Sequence, residues 1–169
     1  MGKSKINLRE LIIFAMLGCI MFLSDLLMEA LPNIHALAMF IALFTLVFRA
    51  KALIPIYVYV ALTGIYAGLA LWWVPYLYIW AILWAAIMLI PKRANDKVKF
   101  ILSIILCSLH GLLFGILYAP MQALMYGLSF KAMITWIVTG AAFDIVHMCG
   151  NFAMSFLIIP LYRVMKKLV

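Results

Sequence analysis

Apolar segments long enough to cross a lipid bilayer follow one another along almost the whole chain. A membrane-spanning helix needs about 20 mostly apolar residues. Of the 169 residues, 70% are hydrophobic, whereas soluble domains average about 45–50%. The sequence therefore predicts an all-α integral membrane protein, with residues 1–169 in a single domain. Its six transmembrane helices are expected at approximately Leu8–Glu29, Ile34–Phe48, Ala52–Leu71, Val74–Ile90, Val98–Tyr118 and Ala132–Val164.

Positive charge falls on one side of this predicted topology. With six spans, Lys131 alone among the 13 lysines and arginines lies on the side away from the termini. The others are Lys3, Lys5, Arg9, Arg49, Lys51, Lys92, Arg93, Lys97, Lys99, Arg163, Lys166 and Lys167. Because cytoplasmic loops of membrane proteins carry the excess of Lys and Arg, both termini are predicted to be cytoplasmic. The same rule explains the net charge of +8 without a nucleic-acid partner.

Prolines and short polar runs mark the expected breaks between the helices. Pro32 is expected to end the first helix, because proline cannot continue the backbone hydrogen-bonding pattern. Arg49-Ala50-Lys51 predicts a tight hairpin turn. Ala119-Pro120 is expected to break the fifth segment, which leaves residues 121–131 as a short amphipathic stretch or a re-entrant loop.

A polar stripe runs along the last apolar segment. Asp144, His147 and Asn151 are spaced so that they share one helix face, with Gly140 one turn before and Ser155 one turn after. An ionisable group at the centre of a membrane helix costs about 2.5–3.5 kcal/mol and commonly marks a functional cavity. The stripe could bind a polar ligand, relay protons or coordinate a cation. Alternatively, its side chains could pair with each other and with His110 on the fifth segment, and so lock two helices together.

Aromatic residues crowd the fourth segment and the connection before it. Aromatic rings at the ends of membrane helices commonly anchor them at the lipid headgroups, and this interpretation suits Trp72, Trp73 and Tyr76. The deeper members could instead form the wall of a pocket for a flat ligand. The pocket interpretation takes its wall from Trp73, Tyr76, Trp80 and Trp84.

Further polar residues are expected near the mouth of such a pocket. Asp25 and Glu29 lie one turn apart at the end of the first segment and are followed by Asn33 and His35, as a solvated loop mouth or as a ligand gate. Gln122 and Tyr126 are candidates for a lid. The pairs Gly64–Gly68 and Gly111–Gly115 have the GxxxG spacing that lets helices pack closely, here within the monomer.

Signatures of enzymes and of metal or nucleotide sites are missing from the sequence. It holds no H-E-x-x-H or G-x-S-x-G motif and no Walker motif. Cys19, Cys107 and Cys149 have no paired or metal-binding spacing. We therefore expect no catalytic residue, metal or cofactor, and we expect any ATP-driven step to depend on partners. A stand-alone small-molecule or proton-coupled carrier is the alternative, and an intramembrane enzyme with Asp144 and His147 as acid and base is a further one.

The chain resembles, over its whole length, the substrate-binding S components of energy-coupling factor (ECF) transporters. The resemblance is carried by the small residues Ala15 and Cys19, which match the Ala-x3-Ala motif of the first helix in that family, with Cys in the second place. It is carried also by the runs Leu8–Ala15, Ala52–Tyr57 and Leu71–Trp80.

This resemblance implies a bacterial protein of the cell membrane that takes part in vitamin uptake. The S component of such an importer binds a vitamin-like small molecule from outside. It then docks through its first helix on a scaffold transmembrane subunit driven by two ATPase subunits, topples in the membrane and releases the cargo inside. By this resemblance Ala15 and Cys19 belong to the docking surface.

Overall fold

The computed structural model describes residues 6–168, and within them it contains helices and turns but no β-strand. The all-α class is therefore confirmed. The helices are α1 (Leu8–Leu27), α2 (Leu37–Phe48), α3 (Leu53–Ala67), α4 (Tyr76–Met88), α5 (Asp96–Leu112), α6 (Phe114–Tyr126), α7 (Phe130–Ser155) and α8 (Ile158–Leu168). Lys3 and Lys5, which belong to the predicted cytoplasmic cations, lie outside the described residues.

Five helical runs are long and apolar enough to cross a bilayer. They are Leu8–Leu27, Leu37–Ala67, Leu71–Met88, Asp96–Tyr126 and Phe130–Ser155. The second run joins α2 to α3 through a 3-10 turn at Arg49–Ala52, where Arg49 has a φ of 56°. Large apolar side chains are exposed along the outer faces of the bundle. These features are those of a multi-pass membrane protein.

The short helix α2 lies at the centre of the bundle. Nine of its 12 residues are buried, and it packs against α4 and α8 as well as α5 and α7. A helix that is apolar on every side is expected in the core, because it has no polar face to turn outward. Its polar residue Thr45 is satisfied within the helix, since its hydroxyl donates to the Ile41 carbonyl at 2.6 Å.

Two helix pairs flank this centre, and a glycine brings each pair close. α1 packs on α3, where a Cβ on Gly18 would collide with the Val58 side chain and the Pro55 carbonyl. α5 packs on α7, where a Cβ on Gly111 would lie 2.9 Å from the backbone nitrogen of Met148. Small residues at membrane-helix contacts allow this backbone approach.

The predicted break at Ala119-Pro120 is wrong. Pro120 lies inside α6, which continues to Tyr126, and the break comes earlier, at Leu113. A proline in a helix interior removes one hydrogen bond and bends the helix without always ending it. Just after this earlier break, the backbone N–H of Gly115 bonds to a side chain of α7.

The long last segment divides into two helices. α7 ends at Ser155, and α8 begins three residues later at Ile158. α8 is amphipathic: it buries Ile158 and Tyr162, while Arg163 pairs with Asp96 of α5 at 2.7 Å. Its polar face and last-turn lysines distinguish it from a continuation of the membrane span.

Candidate functional site

The Asp144 carboxylate caps the first turn of α6. The backbone N–H of Gly115, the second residue of α6, donates to Asp144 Oδ1 at 3.1 Å. The first N–H groups of a helix have no partner within the helix and carry partial positive charge. A carboxylate at this position is therefore stabilised. Asp144 bonds to this backbone group, and no hydrogen bond joins it to His147 among the described contacts.

The C-terminal part of the predicted stripe, Asn151 and Ser155, lies at the contact between α5 and α7. Asn151 is buried, and its Nδ2 donates to the Cys107 carbonyl at 3.1 Å. The Ser155 hydroxyl donates to the Asn151 carbonyl at 2.6 Å. Gly111 lies against the Asn151 amide, where a Cβ would stand 2.8 Å from Nδ2. Asn151 and Ser155 thus act in helix packing, and the Asn151 amide is held beside a glycine.

An open cavity of about 400 Å³ lies between α6 and α7 and reaches Asp144. We call it the vestibule. Its polar side chains include the Asp144 carboxylate and the amides of Gln122 and Asn33, beside the tyrosines Tyr76 and Tyr118. The rest of its lining is aromatic or glycine: Phe114, Gly115, Trp136, Gly140 and Phe143. Its composition is that of a small-molecule site, largely apolar with a few convergent polar groups.

Three histidines lie behind the vestibule, around the indole of Trp80. We call His35, His110 and His147 the histidine cluster. The His35 ring lies 4.7 Å from the His147 ring, and the His110 ring lies 5.6 Å from that of Trp80, measured between centroids. The connection at Asn33–Ile34 packs beside Gly150 of α7, where an added Cβ would lie 3.4 Å from the Ile34 Cα.

Phe114 separates the vestibule from the histidine cluster. Its ring lines the vestibule and lies 4.9 Å from the His147 ring and 5.7 Å from the Trp80 ring. The Phe114 ring thus lies between the vestibule and the histidine cluster and contacts both.

Several buried polar atoms around the vestibule and the histidine cluster have no hydrogen-bond partner within the described chain. They are His35 Nδ1, His110 Nδ1, His147 Nε2, Trp80 Nε1 and Gln122 Oε1. His110 does use its other nitrogen, which lies 3.1 Å from the Ile79 carbonyl. Leaving a buried polar group unpaired costs about 1–3 kcal/mol, and such groups in native proteins call for an explanation. A concentration of them beside a cavity marks this region as the candidate site.

The other aromatic residues of the predicted pocket are dispersed. Tyr76 lines the vestibule and touches the Trp80 ring at 5.6 Å. Trp73 donates to the Val60 carbonyl at 2.8 Å and anchors its turn to α3. Trp84 donates to the Arg49 carbonyl at 3.1 Å, towards the opposite end of α4. The structure therefore brings Tyr76 and Trp80 together and places Trp73 and Trp84 elsewhere. Trp73 and Trp84 each bond to a different neighbouring segment, so the four rings do not form one stack.

The predicted entrance residues also separate. Gln122 lines the vestibule, whereas Tyr126 is exposed one turn further along α6 and is not part of that lining. Glu29 and Asp25 line a different cavity, of about 170 Å³, between α1 and α3. On α1, Ala15 and Cys19 lie one turn apart on the exposed face.

Sequence reasoning missed several residues of the site. Phe114, Tyr118 and Trp136 have no distinguishing motif in an apolar chain. Trp136 had one usable signal, since it precedes Gly140 by one turn on the same face of α7 as Asp144. His35 was expected only near the pocket entrance, and its contact with His147 was missed because it reaches that ring from a connection more than a hundred residues away in the chain.

The histidine cluster does not have the geometry of a metal site. Within residues 6–168, no group of three or more histidine, cysteine or acidic side chains is arranged to hold a metal ion. Comparison with known proteins gives no further guide: no family model, curated protein or solved structure matches the chain.

Proposed function

We propose that this protein is the substrate-binding S component of an ECF-type importer. It captures a vitamin-like or other micronutrient small molecule from outside and delivers it through a scaffold transmembrane subunit and two ATPase subunits. The observation that carries the proposal is the open vestibule, which reaches the membrane-embedded acid Asp144 and adjoins buried, unpartnered polar atoms. A cavity of about 400 Å³ is within the range of small-molecule sites, which is roughly 300–1,000 Å³.

The proposed topology has six spans, with α2 and α3 crossing separately and both termini in the cytoplasm of a bacterial cell. The charge distribution supports it, because Arg49 bonds to the end of α4 and Arg163 of α8 pairs with Asp96 at the start of α5, so these cations lie at one end of the bundle. In this orientation the vestibule opens outward, since Tyr76 at the start of α4 and Asn33 before α2 both line it.

The docking part of the proposal is supported by the outer face of α1. Ala15 and Cys19 are exposed, whereas Gly18 faces α3 and is covered by Val58. Small side chains on an exposed helix face let a second helix approach closely. This face is the proposed contact with the scaffold subunit.

Reconstitution in liposomes tests the proposal. The purified protein is first screened by thermal shift against vitamins, cofactors and their precursors, and we expect saturable stabilisation by one compound. Uptake of that compound is then measured with the scaffold and ATPase subunits present. We expect uptake to need ATP and intact ATPase subunits.

A docking variant provides the control. Ala15→Leu combined with Cys19→Leu is expected to retain ligand binding but to lose uptake, because bulk is added only on the exposed face of α1. Uptake by the protein alone under a proton gradient would contradict the proposal and favour a stand-alone carrier. Absence of any saturable ligand would contradict both readings.

A further inference from the structure

The charge balance of the vestibule is one-sided. Among the lining residues that belong to the described part of the chain, Asp144 is the only acid, and none is a lysine or arginine. Within residues 6–168 the recorded ion pairs join Lys51 to Glu10 and Arg163 to Asp96, so Asp144 has no cationic side chain beside it. A carboxylate in an apolar membrane cavity without a counter-charge is unfavourable unless something supplies one.

The backbone supplies only part of that compensation. The single N–H of Gly115 bonds to Oδ1 of Asp144, and the helix start adds partial positive charge. A carboxylate has about four acceptor positions over its two oxygens. Oδ2 therefore keeps its capacity to accept from a ligand that carries positive charge or N–H donors.

The walls of the vestibule favour a flat cation. The rings of Tyr118 and Trp136 are nearly parallel, with centroids 5.9 Å apart and an interplanar angle of 17°. The rings of Phe114 and Tyr118 are also stacked, with centroids 6.0 Å apart and an interplanar angle of 27°. These three rings line the same cavity as Asp144. Aromatic faces attract cations through the ring quadrupole, most strongly where water is displaced.

We infer that the vestibule selects a flat organic cation, such as a protonated or quaternised nitrogen heterocycle. Its charge lies against Asp144 and its ring lies along Phe114, Tyr118 and Trp136. This inference rests on the proposed function in taking the vestibule as the ligand site. It excludes carboxylate- and phosphate-bearing ligands, because an anion would face the Asp144 carboxylate with no basic side chain among the described residues of the lining.

Matched probes that differ chiefly in charge test the inference. One set is 1-methylnicotinamide, nicotinamide and nicotinate, and a second is N-methylquinolinium, quinoline and quinoline-2-carboxylate. Each is titrated at pH 7 against the full-length protein in lipid nanodiscs. In at least one set the cation is expected to bind saturably, with a Kd at least tenfold below that of the neutral and anionic members.

Asp144→Asn is expected to reduce this preference to less than threefold, while it keeps an oxygen to accept from Gly115. The control is Asp96→Asn, which removes an acid paired with Arg163 away from the cavity and is expected to leave the preference unchanged. If Asp144→Asn does not yield folded protein, the order of affinities within each set for the unmodified protein decides alone.

The inference is overturned if no cation binds, if neutral or anionic members bind as tightly, or if Asp144→Asn keeps the preference. These outcomes differ from failure of the proposed function. Saturable binding of a non-cationic vitamin with ATP-driven uptake would refute the inference only. Cation selectivity without uptake in the presence of the ATPase complex would refute the proposed function only.

Discussion

The absent side chain of Gly115 leaves the space that the Asp144 carboxylate occupies. A Cβ at this position would collide with the Asp144 carboxylate oxygen Oδ2. The same residue donates the N–H that holds Oδ1. Gly115 therefore both leaves room for the acid and holds it through a backbone hydrogen bond in the first turn of α6.

Gly115→Ala is expected to displace the Asp144 carboxylate from its hydrogen bond with the Gly115 N–H and to be less stable than the Gly140→Ala variant by about 0.5–1.5 kcal/mol, the net contribution of one hydrogen bond. The shift is measured as a lower apparent melting temperature in detergent. Gly140→Ala is the matched control, because a Cβ there meets no atom within 4 Å and alanine favours a helix over glycine by about 0.8–1.0 kcal/mol. Equal effects of the two substitutions would contradict the assigned role of Gly115.

Residue spacing predicted one half of the site and could not predict the other. The helical period aligned Asp144, His147 and Asn151, and all three are buried. It could not show that Asp144 bonds to a backbone N–H of another helix, since backbone groups have no signature in the sequence. His35 joins His147 through the path of a connection, which side-chain periodicity does not encode.

At the scale of the helices, the joint between α2 and α4 depends on Arg49. Its guanidinium donates to the carbonyls of Met88 at 2.5 Å and Ile90 at 3.0 Å, near the end of α4. Its own carbonyl accepts from Trp84. The last carbonyls of a helix have no partner within the helix, so this fork caps α4 from the turn after α2.

Arg49→Lys is expected to lower the free energy of unfolding by about 1.5–3 kcal/mol, the range for hydrogen bonds to charged groups. Lysine keeps the charge but lacks the planar fork that reaches two carbonyls. The control is Arg93→Lys in the exposed loop after α4, where surface substitutions usually stay within about 0.5 kcal/mol. Denaturation followed by circular dichroism compares the two, and equal stability would show that the fork contributes little.

Helix positions followed from the sequence more closely than helix ends did. α1 begins at Leu8 as expected, where Asn7 and Glu10 form reciprocal capping bonds. The fifth segment was misjudged because Pro120 is a visible local signal, whereas the actual break at Leu113 has no breaker residue. It coincides with the contact to Asp144 on α7.

At the scale of the whole molecule, the charged residues predict how the chain lies in the membrane. Lys92 is exposed in the loop between α4 and α5, and Lys131 is exposed at the start of α7. The proposed topology puts Lys92 inside the cell and Lys131 outside. The apolar segments alone do not determine the topology, since the described helices contain five long apolar runs and the proposal has six spans.

Single cysteines at these positions test the topology in intact cells. In a chain whose native Cys19, Cys107 and Cys149 are replaced by serine, Lys131→Cys is expected to react with a membrane-impermeant maleimide. Lys92→Cys is expected to react only after the cells are permeabilised. Labelling of Lys92→Cys in intact cells would mean that the termini are not both cytoplasmic with six spans between them.

The bond between Gly115 and Asp144 also bears on how tightly a ligand can be held. A side chain that becomes ordered only on binding costs about 0.5–1.5 kcal/mol of conformational entropy. The Asp144 carboxylate is already fixed by a hydrogen bond of 3.1 Å, so folding has removed that freedom beforehand. A ligand that pairs with Oδ2 would therefore meet a preorganised acceptor, and more of its interaction free energy would appear as affinity.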